Sequence, residues 1–91
     1  MLDLTSYAHI EREMMMIKVR AEGVDREEVK RLSDIFRGRV IDVNDHAYVI
    51  ELTGAGAKLD AFIAALGARP IEEVVRSGTM GIARGDTTLK L

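Results

Sequence analysis

Ile35-Phe36-Arg37-Gly38-Arg39-Val40-Ile41-Asp42-Val43 holds a change of period. Up to Phe36 the apolar residues recur at helical spacing, through Val29, Leu32 and Ile35. After Gly38 they alternate, with Ile41 and Val43 two apart. A shift from a period of 3.6 to a period of 2 across one glycine marks a helix-to-strand corner. On this reading Gly38 is the left-handed residue that ends the helix, and Ile41 and Val43 point into the core. The charges in the corner have no role in such a turn. An Arg37–Asp42 or Arg39–Asp42 pair that stiffens it is one expectation, and a partner contact is the other.

Upstream of the corner, Asp25 to Phe36 is expected to be the first helix. Asp25 and Glu28 have the spacing of a capping box, and Val29, Leu32, Ile35 and Phe36 form its apolar stripe. Before it, Glu11 to Ala21 alternates. Met15, Ile17, Val19 and Ala21 share one face, and Met14, Met16, Lys18 and Arg20 the other. Downstream, Asn44-Asp45 is turn chemistry and His46 to Leu52 alternates again, so strands two and three form a hairpin. Ala57 to Leu66 is a second helix, with Leu59, Phe62, Ile63 and Leu66 as its core stripe. Gly67 ends it and Pro70 prevents its continuation. Ile71 to Arg76 is a fourth strand, and Thr79 to Ala83 a candidate short fifth.

The order β-α-β-β-α-β predicts an α+β fold: the ferredoxin-like (ACT-like) sandwich, a four-stranded antiparallel sheet with two helices on one face. Residues 1–10 are expected to be a lead-in or linker remnant, 11–86 the domain and 87–91 a tail. The sheet face away from the helices would carry Met14, Met16, Val40, Val49 and Val74 beside Lys18 and Glu51. That is too apolar for a face left in water, and it predicts a homodimer through this face or its edge.

Composition bounds the chemistry. The chain has 91 residues and a net charge of −2, with 47% hydrophobic and 31% charged residues. It is one small domain with a thin core, and it lacks the basic surface that nucleic acid or an acidic membrane would require. With no cysteine, a disulfide framework, a thiol nucleophile and a thiolate metal site are excluded. No apolar run reaches a membrane-spanning length, so a cytoplasmic chain with no nucleic-acid or membrane partner is expected.

Candidate motifs are few. Gly54-Ala55-Gly56 opens a helix as a phosphate-binding turn does, but Leu59 stands where the third glycine of a dinucleotide fingerprint belongs. His9 and His46 have no metal-ligand spacing. No nucleophile, base and orienting group form a set, so no catalytic, cofactor-binding or metal residue is assigned. Glu72 and Glu73, on the same alternating strand as Arg76, suit cross-strand charge pairs. Arg76-Ser77-Gly78 through Ala83-Arg84-Gly85-Asp86 is either an anion-binding nest with two forked donors or a surface loop.

Several of these strings together resemble a known family. Glu11-Arg12-Glu13-Met14 with Lys18-Val19, then Ile35-Phe36-Arg37-Gly38 with Ile41-Asp42-Val43, then Gly54 with Lys58-Leu59-Asp60-Ala61-Phe62, then Arg76-Ser77-Gly78 with Ala83-Arg84-Gly85, are similar to the C-terminal domain of the acetolactate (acetohydroxyacid) synthase small, regulatory subunit. The resemblance implies a non-catalytic domain without a cofactor of its own. Its partner would be the large catalytic subunit, which carries thiamine diphosphate, magnesium and FAD and condenses two pyruvates, or pyruvate with 2-oxobutyrate. The small subunit activates it and confers feedback inhibition by branched-chain amino acids, typically valine. In that family an ACT domain precedes this one and is associated with the effector site. It has no counterpart in these residues, which are read as either an excised domain or a split subunit, and no effector contact is carried over. Arg37, Arg39, Arg76, Gly78, Arg84 and Gly85 are the candidate partner-interface residues. A free-standing dimeric sensor of small molecules or metals is the alternative function.

Overall fold

A computed structural model describes residues 9–85. Five strands and two helices follow in the order β1 (His9–Arg20), α1 (Asp25–Ile35), β2 (Arg39–Val43), β3 (Ala47–Gly54), α2 (Gly56–Leu66), β4 (Ile71–Arg76) and β5 (Met80–Ala83). All pairings are antiparallel. The main sheet runs β2-β3-β1-β4, and β5 pairs with β1 outside that path. The ferredoxin-like order therefore stands, with the fifth strand added. No helix among the described residues is long and apolar enough to cross a membrane.

The alternation of β1 decides which side is dry. Met15, Ile17 and Val19 are fully buried together with Ala21, which follows the strand. They meet Ile50 and Leu52 of β3, Val29 of α1, and Leu59, Phe62 and Leu66 of α2 in one core. Both helices thus cover the same sheet face. Phe36 and Phe62 meet edge to face, with ring centroids 5.3 Å apart, an arrangement their quadrupoles favour.

Four local expectations are corrected. The first helix has no capping box: its N-cap is Val24, and no side chain caps it. The turn at Glu22-Gly23 supplies acceptors instead, with Asp25 N–H donating to Glu22 O and Arg26 N–H to Gly23 O. Asp25 and Glu28 are left in the first turn, where their charge suits the helix dipole and both pair with Arg69. Second, Ile35 is exposed and Ser33 takes the buried position.

Third, the left-handed residue at the corner is Arg37 (φ 61°), not Gly38. Gly38 N–H donates to Ser33 O at 2.7 Å and Arg37 N–H to Asp34 O at 3.1 Å. That is the paired bonding of a Schellman motif with an arginine in the place glycine usually takes. Gly38 serves close approach: a Cβ there would lie 3.2 Å from Glu51 O, Ile50 Cγ2 and Ser33 Oγ.

Fourth, Ile41 and Val43 do not enter the core; they are 45% and 54% exposed. Val40 opposes Ile50 and Asp42 opposes Val49, so Ile41 is an extra residue in a bulge. The bulge lets Val40 pack against the core on the face of Ile50, while Val43 keeps the expected face opposite Tyr48 but stays exposed at the strand end. Likewise Val75, not Val74, opposes Met16 and belongs to the outer sheet face.

Beyond Glu13, the first strand leaves the main sheet. Among the described residues His9–Arg12 pair only with β5, in the register Ile10↔Ile82 and Arg12↔Met80. The two strands form an arm, and the chain measures 51 × 21 × 21 Å with a radius of gyration of 15.8 Å. A compact chain of this length would have a radius of about 12 Å.

Candidate functional site

Glu13 sits on the buried parity of β1, where an unpaired carboxylate would be strongly disfavoured. Arg76, at the end of β4, resolves this with a forked contact. Its Nε donates to Glu13 Oε2 at 3.0 Å and its Nη2 to Glu13 Oε1 at 2.7 Å. The third donor, Nη1, reaches Asp60 Oδ1 on α2 at 2.6 Å. Gly78 N–H also donates to Glu13 Oε2, at 3.3 Å, from a backbone with φ +84° that glycine adopts readily. One guanidinium therefore ties β1, β4 and α2 together.

Electrostatics follow from this geometry. The Arg76 bond holds the Glu13 carboxyl below its ordinary range, against the opposing effect of burial. Glu13, with Asp60, raises Arg76 further into its charged range. The Gly54-Ala55-Gly56 turn meets the same pair, since a Cβ on Gly56 would lie 3.6 Å from both Arg76 Nη2 and Glu13 Oε1. The tail's turn is built just as locally. Ser77 N–H donates to Met14 O, and Met14 N–H donates to Ser77 Oγ at 3.0 Å.

The six candidate interface residues fall into three places. Arg76 and Gly78 converge on Glu13. Arg37 and Arg39 stand at the α1–β2 corner, by the opposite sheet edge, about three inter-strand spacings or ~14 Å from β4. Arg84 and Gly85 lie beyond the end of β5. Among the described residues no carboxylate pairs with Arg37, Arg39 or Arg84, all of which are exposed. The expected pairing of Asp42 with Arg37 or Arg39 is therefore not formed. The bulge turns Asp42 to the outer face opposite Val49, where its charge is felt by Lys18.

Sequence reasoning missed Glu13 and Asp60. The signal for Glu13 was present: it shares its parity with Met15, Ile17 and Val19, and a carboxylate on a dry face calls for a cation. The cross-strand pairing expected for the β4 glutamates is found. Glu73 accepts from Lys18 at 2.6 Å, and Glu72 from Arg20 at 2.8 Å. Glu73 raises Lys18 and is itself lowered by it. His46 lies 3.4 Å from Glu22 and His9 lies 3.2 Å from Glu11. Among the described residues no group of three or more potential ligands could hold a metal ion.

The chemistry of this arrangement is that of a scaffold with exposed charges and apolar surface. Residues 12–85 match the family model described as the small subunit of acetolactate synthase. The isozyme 3 small subunit of acetolactate synthase from Salmonella typhimurium is 48% identical over 89 residues, which are 97% of this chain and 55% of that one. The chloroplastic acetolactate synthase small subunit 2 of Arabidopsis thaliana is 37% identical over 82 residues, covering 90% of this chain and 17% of that one. The crystal structure of the small subunit from Thermotoga maritima superposes with a TM-score of 0.81 at 41% identity, over 88% of this chain and 49% of that one. The chain spans about half the length of the bacterial relatives it matches. A match that runs from the arm through the Glu13–Arg76 node to Gly85 places this chain in the acetolactate synthase small-subunit family.

Proposed function

We propose that the chain is a non-catalytic regulatory domain that docks on the catalytic subunit of acetolactate synthase and supports its activation and feedback regulation in branched-chain amino-acid biosynthesis. The observation that carries this reading is the family match over residues 12–85, which takes in all the described elements but the first three residues of β1. The thiamine diphosphate, magnesium and FAD of the reaction reside in the partner. The domain acts in the cytoplasm as a homodimer.

Docking on the catalytic subunit uses cations that pair with no carboxylate among the described residues, Arg37 and Arg39 at the corner and Arg84 with Gly85 at the end of the arm. Arg76 and Gly78 serve that surface indirectly, by fixing where the arm leaves the sheet. The test mixes the chain with the isolated catalytic subunit and follows acetolactate formed from pyruvate. A raised rate with co-elution is expected, and Arg84→Ala weakens the activation several-fold at an unchanged melting temperature. An unaltered rate and separate elution would reject the reading. Gly78→Val is not a clean probe, because its backbone at φ +84° strains any β-branched residue.

A further inference from the structure

The two helices leave a hollow of about 290 Å³ between them, lined by Glu28, Arg31 and Leu32 of α1, Ala65 of α2 and Arg69 just beyond it. Its volume is at the lower end of the range of small-molecule sites, about 300 Å³ and upward. Leu32 and Ala65 give it apolar walls. The other three residues are charged.

Each side-chain nitrogen of Arg69 is engaged. Its Nε donates to Asp25 Oδ1 at 3.2 Å, its Nη1 to Leu66 O at 3.1 Å and its Nη2 to Glu28 Oε2. The last bond fixes Glu28 but uses one of its oxygens. Oε1 accepts nothing among the described residues. Arg31 follows Glu28 by three positions, a spacing that sets their Cβ atoms about 5–6 Å apart on one face of the helix. Neighbours of this kind can pair with each other. Here Arg69 has taken the carboxylate, and Arg31 is exposed with no ion pair among the described residues. A free acceptor and a free donor of opposite charge are thus held side by side next to apolar walls.

We infer that this hollow binds a free α-amino acid with a short apolar side chain. The ammonium is received by Glu28 Oε1, the carboxylate by the Arg31 guanidinium, and the side chain rests on Leu32 and Ala65. The zwitterion is selected over its parts. A monocarboxylate would meet Arg31 but set a second negative charge beside Glu28, and an amine would meet Glu28 with two guanidinium groups beside it. A residue inside a polypeptide carries neither charge, so a free amino acid is favoured over a peptide segment. Two charge-assisted bonds and a small apolar contact support a Kd of about 1–10 mM. The inference does not depend on docking on the catalytic subunit, and its test needs this chain alone.

The test titrates L-leucine into the isotopically labelled chain and follows the amide NMR spectrum. Saturable shifts confined to residues 28–32 and 65–69 are expected. 4-Methylpentanoate, which lacks the ammonium, and 3-methylbutylamine, which lacks the carboxylate, bind at least about tenfold more weakly. Arg31→Gln and Glu28→Gln each weaken leucine binding about fivefold or more. Glutamine at 28 keeps an oxygen for Arg69, and Arg31→Gln removes an exposed group that holds no ion pair, so the rest of the spectrum is unchanged and a folding defect is told apart from a lost contact. An absence of shifts at about 50 mM leucine, or shifts only elsewhere in the chain, overturns the proposal. So does 4-methylpentanoate binding as tightly as leucine, which would reduce the hollow to an anion contact on Arg31, and so does leucine binding left unchanged by Arg31→Gln. Failure of the functional reading shows elsewhere, as an absence of activation when the catalytic subunit is present, whatever the titration gives.

Discussion

Arg37 and Gly38 have exchanged the roles that chain chemistry would assign them. A non-glycine residue in the left-handed region is disfavoured by about 1–2 kcal/mol, and Arg37 holds that position with its guanidinium exposed and unpaired among the described residues. Backbone strain retained beside a free cation fits a side chain kept for a contact outside the domain. Arg37→Gly is therefore expected to stabilise the domain by about 0.5–1 kcal/mol, net of the added freedom of the unfolded chain, while weakening docking on the catalytic subunit. Gly38→Ala acts oppositely. Its methyl meets a β3 carbonyl, Ile50 and Ser33 at 3.2 Å, and crowding there destabilises by about 1–3 kcal/mol. Urea midpoints of the two variants shift in opposite directions. If both fall, the corner has been misassigned. Glu13 makes the other prediction at this scale. Arg76 depresses its carboxyl in the folded state, so the folded chain binds its proton less readily than the unfolded one. The stabilisation is complete above the unfolded value near 4.5 and is lost as the pH falls through the folded value. Glu13→Gln removes that contribution at neutral pH, and its melting temperature falls less steeply with acidification below pH 4.5 than the parent's. Parallel acid limbs would show that another carboxylate governs them.

Elements were legible where one period ran undisturbed. β1 alternates over its whole length, and α2 keeps Leu59, Phe62 and Leu66 on one stripe that packs against the sheet; both could be read from residue types alone, except that His9 and Ile10, expected in the lead-in, belong to β1 through their pairing with β5. The β2 facing could not. Arg39-Val40-Ile41-Asp42-Val43 alternates in sequence, but the bulge at Ile41 is set by pairing with β3, a partner that local pattern does not contain. The start of α1 failed for a related reason. The Glu22-Gly23 turn supplies the backbone acceptors, so no side-chain cap is needed, and Asp25 and Glu28 are free to pair with Arg69. In the candidate site, Glu13 could be read from its parity, whereas Asp60 depended on where α2 lands. The consequence for stability is that the helix layer depends on few residues. Phe62 is fully buried and carries the one aromatic contact among the described residues, with Phe36. Phe62→Ala should cost about 3–5 kcal/mol, most of the stability of a domain this small. Phe62→Leu should cost markedly less. Chemical denaturation that ranks the two alike would mean that the layer re-packs around the gap.

At the scale of the molecule, the arm and the body are separable by their contacts. Every fully buried apolar side chain lies between Met15 and Leu66, and none comes from β5. The arm is joined to the body at the turn after β4, where Ser77 pairs with the Met14 backbone and Gly78 with Glu13. Ending the chain after Gly78 keeps those bonds and removes β5 with Arg84 and Gly85. The truncated domain should unfold as one cooperative unit, with a heat-capacity change near the usual 12–15 cal/mol/K per residue remaining, because its core is intact. It should also sediment as a monomer and lose most of its effect on the catalytic subunit, since the exposed apolar residues Met80 and Ile82 and the Arg84 cation go with the arm. The two readouts separate two uses of one element. A truncated chain that still pairs with itself but no longer activates would confine the arm's role to the catalytic subunit. One that activates as a monomer would move docking to the corner at Arg37 and Arg39. Loss of cooperative unfolding would mean that the apolar side of the arm stabilises the body itself, against the distribution of buried residues from which the separation is drawn.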